Sequence, residues 1–289
     1  MMTTATVGFN GSQIERKPDR LPFKIKSTSS TTAMTGNRDI MKDIILTTYP
    51  CGEIKRKREQ VRSFLLQRST VIKGVDLAQL SSNDLELMFE LYDQVFIEGW
   101  IQRNYSGRMQ FSISRKMTNS AGKTVCLRND SSKPDSTVIE VRISQQILSN
   151  YGMVEGADMV GGIKTGSRLE ALQLIFEHEL IHVIEFICFG ESSCKQSRFK
   201  TMADNLFGHK ENYHQLPTNK QIAQQRLGLS PGSAVAFPYQ DRKLEGILCS
   251  IRKRASVMVS DKNGRYCDKE GQRYSKYLVP LQLLEAPRK

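Results

Sequence analysis

Apolar positions along this chain fall into two rhythms, and their order predicts the architecture. Leu85, Met88, Phe89, Tyr92 and Phe96 recur every three or four residues, the spacing that gathers side chains on one face of a helix over Leu85–Ile97. Ser81-x-x-Asp84, just before them, reads as the N-terminal cap. Three strand-like runs follow: Met109–Met117, where apolar and polar residues alternate, then Gly122–Leu127, then Thr137–Ser144 with Val138, Ile139, Val141 and Ile143. Asn129–Pro134 supplies the turn before the third. A short helix over Gln145–Tyr151 and a glycine-rich loop from Gly152 to Gly166 then lead into a long helical pattern starting at Leu169. Ser167-x-x-Glu170 is its expected capping box and Gly190 its stop.

The texture changes on either side of this block. Pro217–Gly228 reads as a linker with a short helix. Beyond it come short strands at Ala234–Phe237, Leu244–Ile251, Ala255–Val259 and Tyr277–Val279, a pattern that predicts a small barrel. Upstream, residues 1–45 are polar, with a Ser/Thr run from Ser27 to Thr32, and are expected to be a disordered lead-in. Residues 52–67 read as a basic helix carrying Lys55-Arg56-Lys57-Arg58, a phosphate contact, a nuclear address or a solvated face. The expected layout is a disordered segment (1–45), a basic helical linker (46–80), an α+β domain (81–216), a linker (217–230) and a β-barrel (231–289).

Composition narrows the class. At 289 residues, 39% hydrophobic and 25% charged, the chain can bury a real core, and no apolar stretch approaches the ~18 residues that cross a bilayer. No membrane association is expected. The six cysteines contain no C-x-x-C pair and read as reduced thiols in an intracellular protein, nuclear or cytoplasmic. A Ser/Thr-rich, mildly basic N-terminus leaves an organelle transit peptide open, although Glu15 and Asp19 count against it. The net charge of +12 is uneven. Residues 1–60 hold 11 Lys/Arg against 6 Asp/Glu, residues 231–289 hold 12 against 6, and the middle is nearly neutral. Basic ends suit attachment to a polyanion, so nucleic acid is the expected partner of the termini.

The chemistry concentrates in His178-Glu179-Leu180-Ile181-His182, within the predicted helix. Residues four apart on a helix share a face, so both imidazoles can grip one metal ion. Glu179 then stands beside the metal as a general base rather than as a ligand. All four histidines of the chain, His178, His182, His209 and His214, fall within one stretch of fewer than forty residues.

With these residues laid out, the region from Ser81 to Leu216 resembles the SprT-like zinc metallopeptidases, the Spartan-like family. Leu87-Met-Phe-Glu-Leu-Tyr-Asp-Gln-Val-Phe is similar to the family's opening helix, and Ser114-Arg-Lys-Met-Thr-Asn-Ser-Ala-Gly to its first strand and turn. Glu170-Ala-Leu-x-x-x-x-x-His-Glu-Leu-Ile-His is similar to its metal helix, and Tyr213-His214-Gln-Leu to its closing segment. The resemblance implies a zincin-like core with a small antiparallel sheet, a bound Zn2+, and endopeptidase activity on protein substrates, including proteins bound or crosslinked to DNA. It implies His178 and His182 as ligands, Glu179 as general base, and Tyr213 or His214 beside the developing oxyanion. The chain departs from the family where the third ligand is expected, a His of a His-Gly-x-x-Phe/Trp motif. The matching segment is Lys195-Gln-Ser-Arg-Phe199, and an ammonium has no lone pair to give. Cys194 is the first alternative ligand, and His209 and His214 are others. Without any of them the chain is a non-catalytic relative. Gly232-x-x-Val235-x-Phe237 and Tyr277-x-Val279-Pro280 resemble an SH3-like module, on which Arg252, Lys253 and Arg254 with Tyr239 and Tyr274 are expected to form one nucleic-acid face. A monomer is expected.

Overall fold

A computed structural model describes residues 43–128 and 137–285. Residues 1–42 of the N-terminal segment and the turn at Asn129–Pro134 lie outside the described residues.

The first part of the chain builds one hydrophobic core from residues between Ile44 and Leu216. Helix α1 (Cys51–Arg68) buries Ile54, Val61 and Leu65 in that core and leaves its basic residues toward solvent, apart from Lys57, Arg58 and Arg62. The segment expected to be a linker is thus part of the packed unit. Helix α2 (Ser82–Ile97) buries the predicted stripe of Leu85, Met88, Phe89, Tyr92 and Phe96. Its start is the expected capping box: Ser81 accepts from the Asp84 backbone N–H, and the Asp84 carboxylate accepts from the Ser81 N–H at 2.7 Å. A short α3 (Trp100–Asn104) follows, its first N–H groups capped by Asp93.

Strands β1 (Arg108–Ser114), β2 (Gly122–Arg128) and β3 (Thr137–Ser144) form one sheet in the order β1-β3-β2. The expected antiparallel sheet is mixed: β2 runs antiparallel to β3, but β1 runs parallel to it. The central position of β3 explains its composition. Ile139, Val141 and Ile143 are all buried on one face, while Glu140 and Arg142 pair on the other. Helix α4 (Gln145–Ser149) then leads to a two-residue hairpin, β4 (Met159–Val160) and β5 (Ile163–Lys164), within the glycine-rich loop. Its turn, Gly161-Gly162, takes positive φ at both positions, which glycine adopts without steric cost.

Helix α5 (Arg168–Phe189) runs through the core against β2. Ser167 caps it by accepting from the Glu170 N–H, but the reciprocal half of the box is not made. The Glu170 carboxylate turns to the Gly166 N–H and to Arg62 instead. Gly190 ends the helix in the left-handed region, as its position suggested. Helix α6 (Ser197–Phe207) packs back on α5.

Helix α7 (Asn219–Leu227), opened by a Thr218/Gln221 capping box, belongs to a second and smaller core. Ala223 and Leu229 fill it together with residues of β6 (Ala234–Tyr239), β7 (Arg242–Ile251), β8 (Ala255–Ser260) and β10 (Arg273–Val279), while the exposed β9 (Tyr266–Cys267) adds none. These strands form one five-stranded sheet, β6-β7-β8-β10-β9, and not the expected barrel. Closure fails because β9 is only two residues long and the free edge of β6 is met by an isolated bridge from Ala236 to Glu285. No helix among the described residues is long and apolar enough to cross a membrane.

Candidate metal centre

The two motif histidines lie one turn apart on α5, their rings edge to face with centroids 5.0 Å apart. Phe199 of α6, fully buried, lies against both at 4.8 and 4.5 Å and closes one side of the site with an apolar wall. Burial, aided by the neighbouring His182, pulls the His178 imidazole down to about 3; burial likewise brings His182 to about 4 against the pull of Glu185. Both rings are therefore neutral near pH 7, the state in which an imidazole offers a lone pair.

The loop between α5 and α6 brings Cys194 to these rings. One ligand atom each from His178, His182 and Cys194 lie within 4.8 Å of one another. Two imidazole nitrogens and a thiolate are a borderline-soft donor set that suits zinc, and three protein ligands leave one position of a tetrahedron open. Lys195, which the resemblance sets where a third ligand is expected, is exposed and does not line the cavity. His209, another alternative, is not in the set of ligand atoms that lie within 4.8 Å of one another, and its Nε2 donates to the Glu177 carboxylate at 2.9 Å.

A relay not expected from the motif holds these ligands in place. His182 Nδ1 meets Ser192 Oγ at 2.6 Å, and Ser192 in turn donates to Glu185 at 2.6 Å. Since Glu185 takes the serine proton, His182 Nδ1 must carry its own, which leaves Nε2 as the free lone pair. Glu185 also accepts from the Ser193 N–H and from Arg198 Nε, at 3.2 and 2.7 Å. One buried carboxylate thus ties His182, the loop that carries Cys194 and the start of α6 together. Glu185 sits three residues past His182 on α5, a spacing visible in sequence, but nothing there shows that a loop returns to it.

Glu179 is 4% exposed and sits on the cavity floor. Burial raises its carboxyl to about 7, only partly opposed by hydrogen bonding from Thr124, whose hydroxyl donates at 2.6 Å. Gly122 of β2 makes the room: a Cβ there would stand 2.3 Å from Glu179 Oε1. Glycine is required here for close approach, whatever its φ.

The remaining predicted residues converge on the same cavity, of about 500 Å³. His214 is bridged to Val160 of β4, and its Nε2 accepts from the Ala121 N–H at 3.2 Å, while burial lowers its pKa. Tyr213 stands at the rim, 55% exposed. The two tyrosines expected beside Arg252, Lys253 and Arg254 lie at the other end of β7 and β8 from that basic turn. Tyr239 pairs with Arg242 at the start of β7, whereas Arg252 follows the end of that strand. Tyr274 pairs with Ser260 at the end of β8, whereas Arg254 precedes its start. No family model, curated protein or solved structure matches this chain.

Proposed function

We propose that this chain is a zinc-dependent endopeptidase of the SprT-like type, acting on proteins bound or crosslinked to DNA. One observation carries the reading: two helical histidines and a loop cysteine converge beside a buried, unpaired glutamate on the floor of an open cavity. A zinc ion held by His178, His182 and Cys194 would act as a Lewis acid toward the scissile carbonyl and the attacking water.

The chain's own groups supply the rest. Glu179, a buried carboxyl on the cavity floor with no side-chain cation against it, is placed to take a proton from the attacking water and return it to the leaving amine. Thr124 holds that carboxylate in one orientation, so no rotamer search precedes the transfer. His214 has its Nε2 engaged by a backbone N–H, which leaves Nδ1–H as its donor. Tyr213 or His214, both lining the cavity, is the group we assign to the developing oxyanion. The nucleic-acid part of the reading rests on the resemblance and on the excess of Lys/Arg over Asp/Glu in residues 231–289.

The full chain, reconstituted with zinc and assayed on a lysine-rich DNA-binding protein with and without DNA, tests this. The expected result is about one equivalent of zinc and cleavage that DNA stimulates and chelation abolishes. A chain that takes up no zinc after reconstitution is instead a non-catalytic binding protein, and one that binds zinc without cleaving removes the peptidase assignment.

A further inference from the structure

A second large concavity, a cleft of about 750 Å³, lies where the C-terminal sheet meets the first unit. It shares no residue with the metal cavity. The junction is built rather than incidental. Asn219, 6% exposed, donates through Nδ2 to the carbonyl oxygens of Arg252 and Lys253 at 2.8 and 3.4 Å. Its Oδ1 accepts from Asn150 at 3.0 Å and from Gln146 at 3.3 Å. One buried amide therefore ties the β7–β8 turn to α4, and the cleft walls are set before anything enters.

The lining has a definite chemistry. Arg226 of α7 and Lys253 and Arg254 of the β7–β8 turn present three exposed cations, none of which forms a salt bridge among the described residues. Among the described residues no Asp or Glu lines the cleft. The apolar part is aliphatic, with Met153 and Leu227 41% and 42% exposed and Leu281 beside them, and it contains no aromatic ring. A surface for single-stranded nucleic acid stacks bases on rings, and none is here. Unopposed cations around an aliphatic floor instead match carboxylates around an aliphatic anchor, and exposed methionine adapts to the shape of such an anchor.

We propose that this cleft docks an acidic peptide segment of a partner protein, with an aliphatic side chain over Met153 and Leu227 and carboxylates on Arg226, Lys253 and Arg254. The chain's own residues 1–42 have the wrong sign for this role, with 7 Lys/Arg against 3 Asp/Glu. The proposal stands apart from the peptidase reading, since neither site needs the other.

Fluorescence anisotropy of a labelled Glu/Leu peptide about twelve residues long against the full chain tests it. Binding should saturate, and combined Arg226→Glu and Arg254→Glu should weaken it at least about tenfold. Lys262→Glu with Lys269→Glu, a reversal of equal size outside the cleft, should leave it unchanged. Met153→Ser with Leu227→Ser keeps every charge and should still weaken binding, and a Glu/Ser peptide of equal charge should bind at least about tenfold less tightly than the Glu/Leu peptide. The proposal is overturned if the Glu/Leu peptide does not saturate, if both reversals act alike, or if Glu/Ser binds equally well. It is also overturned if a single-stranded oligonucleotide is the ligand whose binding the cleft reversal removes.

Discussion

Glu177 and Glu179 stand two residues apart on α5, one fully buried and the other 4% exposed, and end in opposite electrostatic states. Burial pushes both upward. At Glu177 that push is overcome: Arg58 reaches it with Nε and Nη2 at 2.8 and 2.7 Å, and Tyr92 and His209 add donors at 2.8 and 2.9 Å, so its carboxyl is held below the usual range. At Glu179 no cation opposes burial, and the carboxyl rises to about 7. The same residue type on the same helix is a charge-paired anion facing α1 and α2, and a carboxyl without a side-chain counter-charge facing the cavity. Burial alone does not make a base; burial without a counter-charge does.

The comparison can be broken from either side. Glu179→Gln should lower peptide cleavage by about a hundred- to ten-thousandfold, because an amide accepts no proton, while zinc content by metal analysis stays unchanged. Retained cleavage would remove Glu179 from the mechanism. Cys194→Ser should come next, costing most of the zinc affinity and abolishing the near-ultraviolet thiolate band of the cobalt-loaded chain, with Lys195→Ala leaving both intact. A parent chain that binds cobalt without that band rules the thiolate out of the site.

Glu177→Gln should act on stability instead. It strands the Arg58 guanidinium in a largely buried setting, at a cost of about 3–5 kcal/mol in chemical denaturation. Adding Arg58→Met to the same chain should recover part of the loss, since the unpaired charge leaves with it. If Glu177→Gln is as stable as the parent, the buried pair is not what seats α1 on α5. The smallest effect belongs to Ser192→Ala, which cuts the His182–Glu185 relay and should weaken zinc binding by about ten- to a hundredfold, read by competition with a chromophoric chelator.

Much of this was legible in the chain itself. The period of Leu85 to Phe96 and the caps at Ser81 and Gly190 located α2 and the end of α5, because caps and amphipathic stripes are local devices. The spacing of His178 and His182 placed both on one face for the same reason. The strand directions were not legible. β1 and β3 alternate like any half-buried strands, and alternation says nothing about whether a neighbour runs parallel. The four short strands expected near the C-terminus likewise suggested closure, which depends on edge lengths and on where Glu285 returns.

By itself, then, the sequence determined which residues are candidates for chemistry and which elements they sit on, since both follow from spacings of a few residues. Only the tertiary structure decided what those residues face. It brought Cys194 rather than His209 to the two imidazoles, spent His209 on Glu177, and turned Glu185 into a clamp on the ligand loop. It also left Glu179 without the counter-charge that Arg58 gives Glu177. Arg58 and Glu177 are 119 positions apart in the chain, so no local pattern could announce the pair, and the packing of α1 against α5 alone creates it.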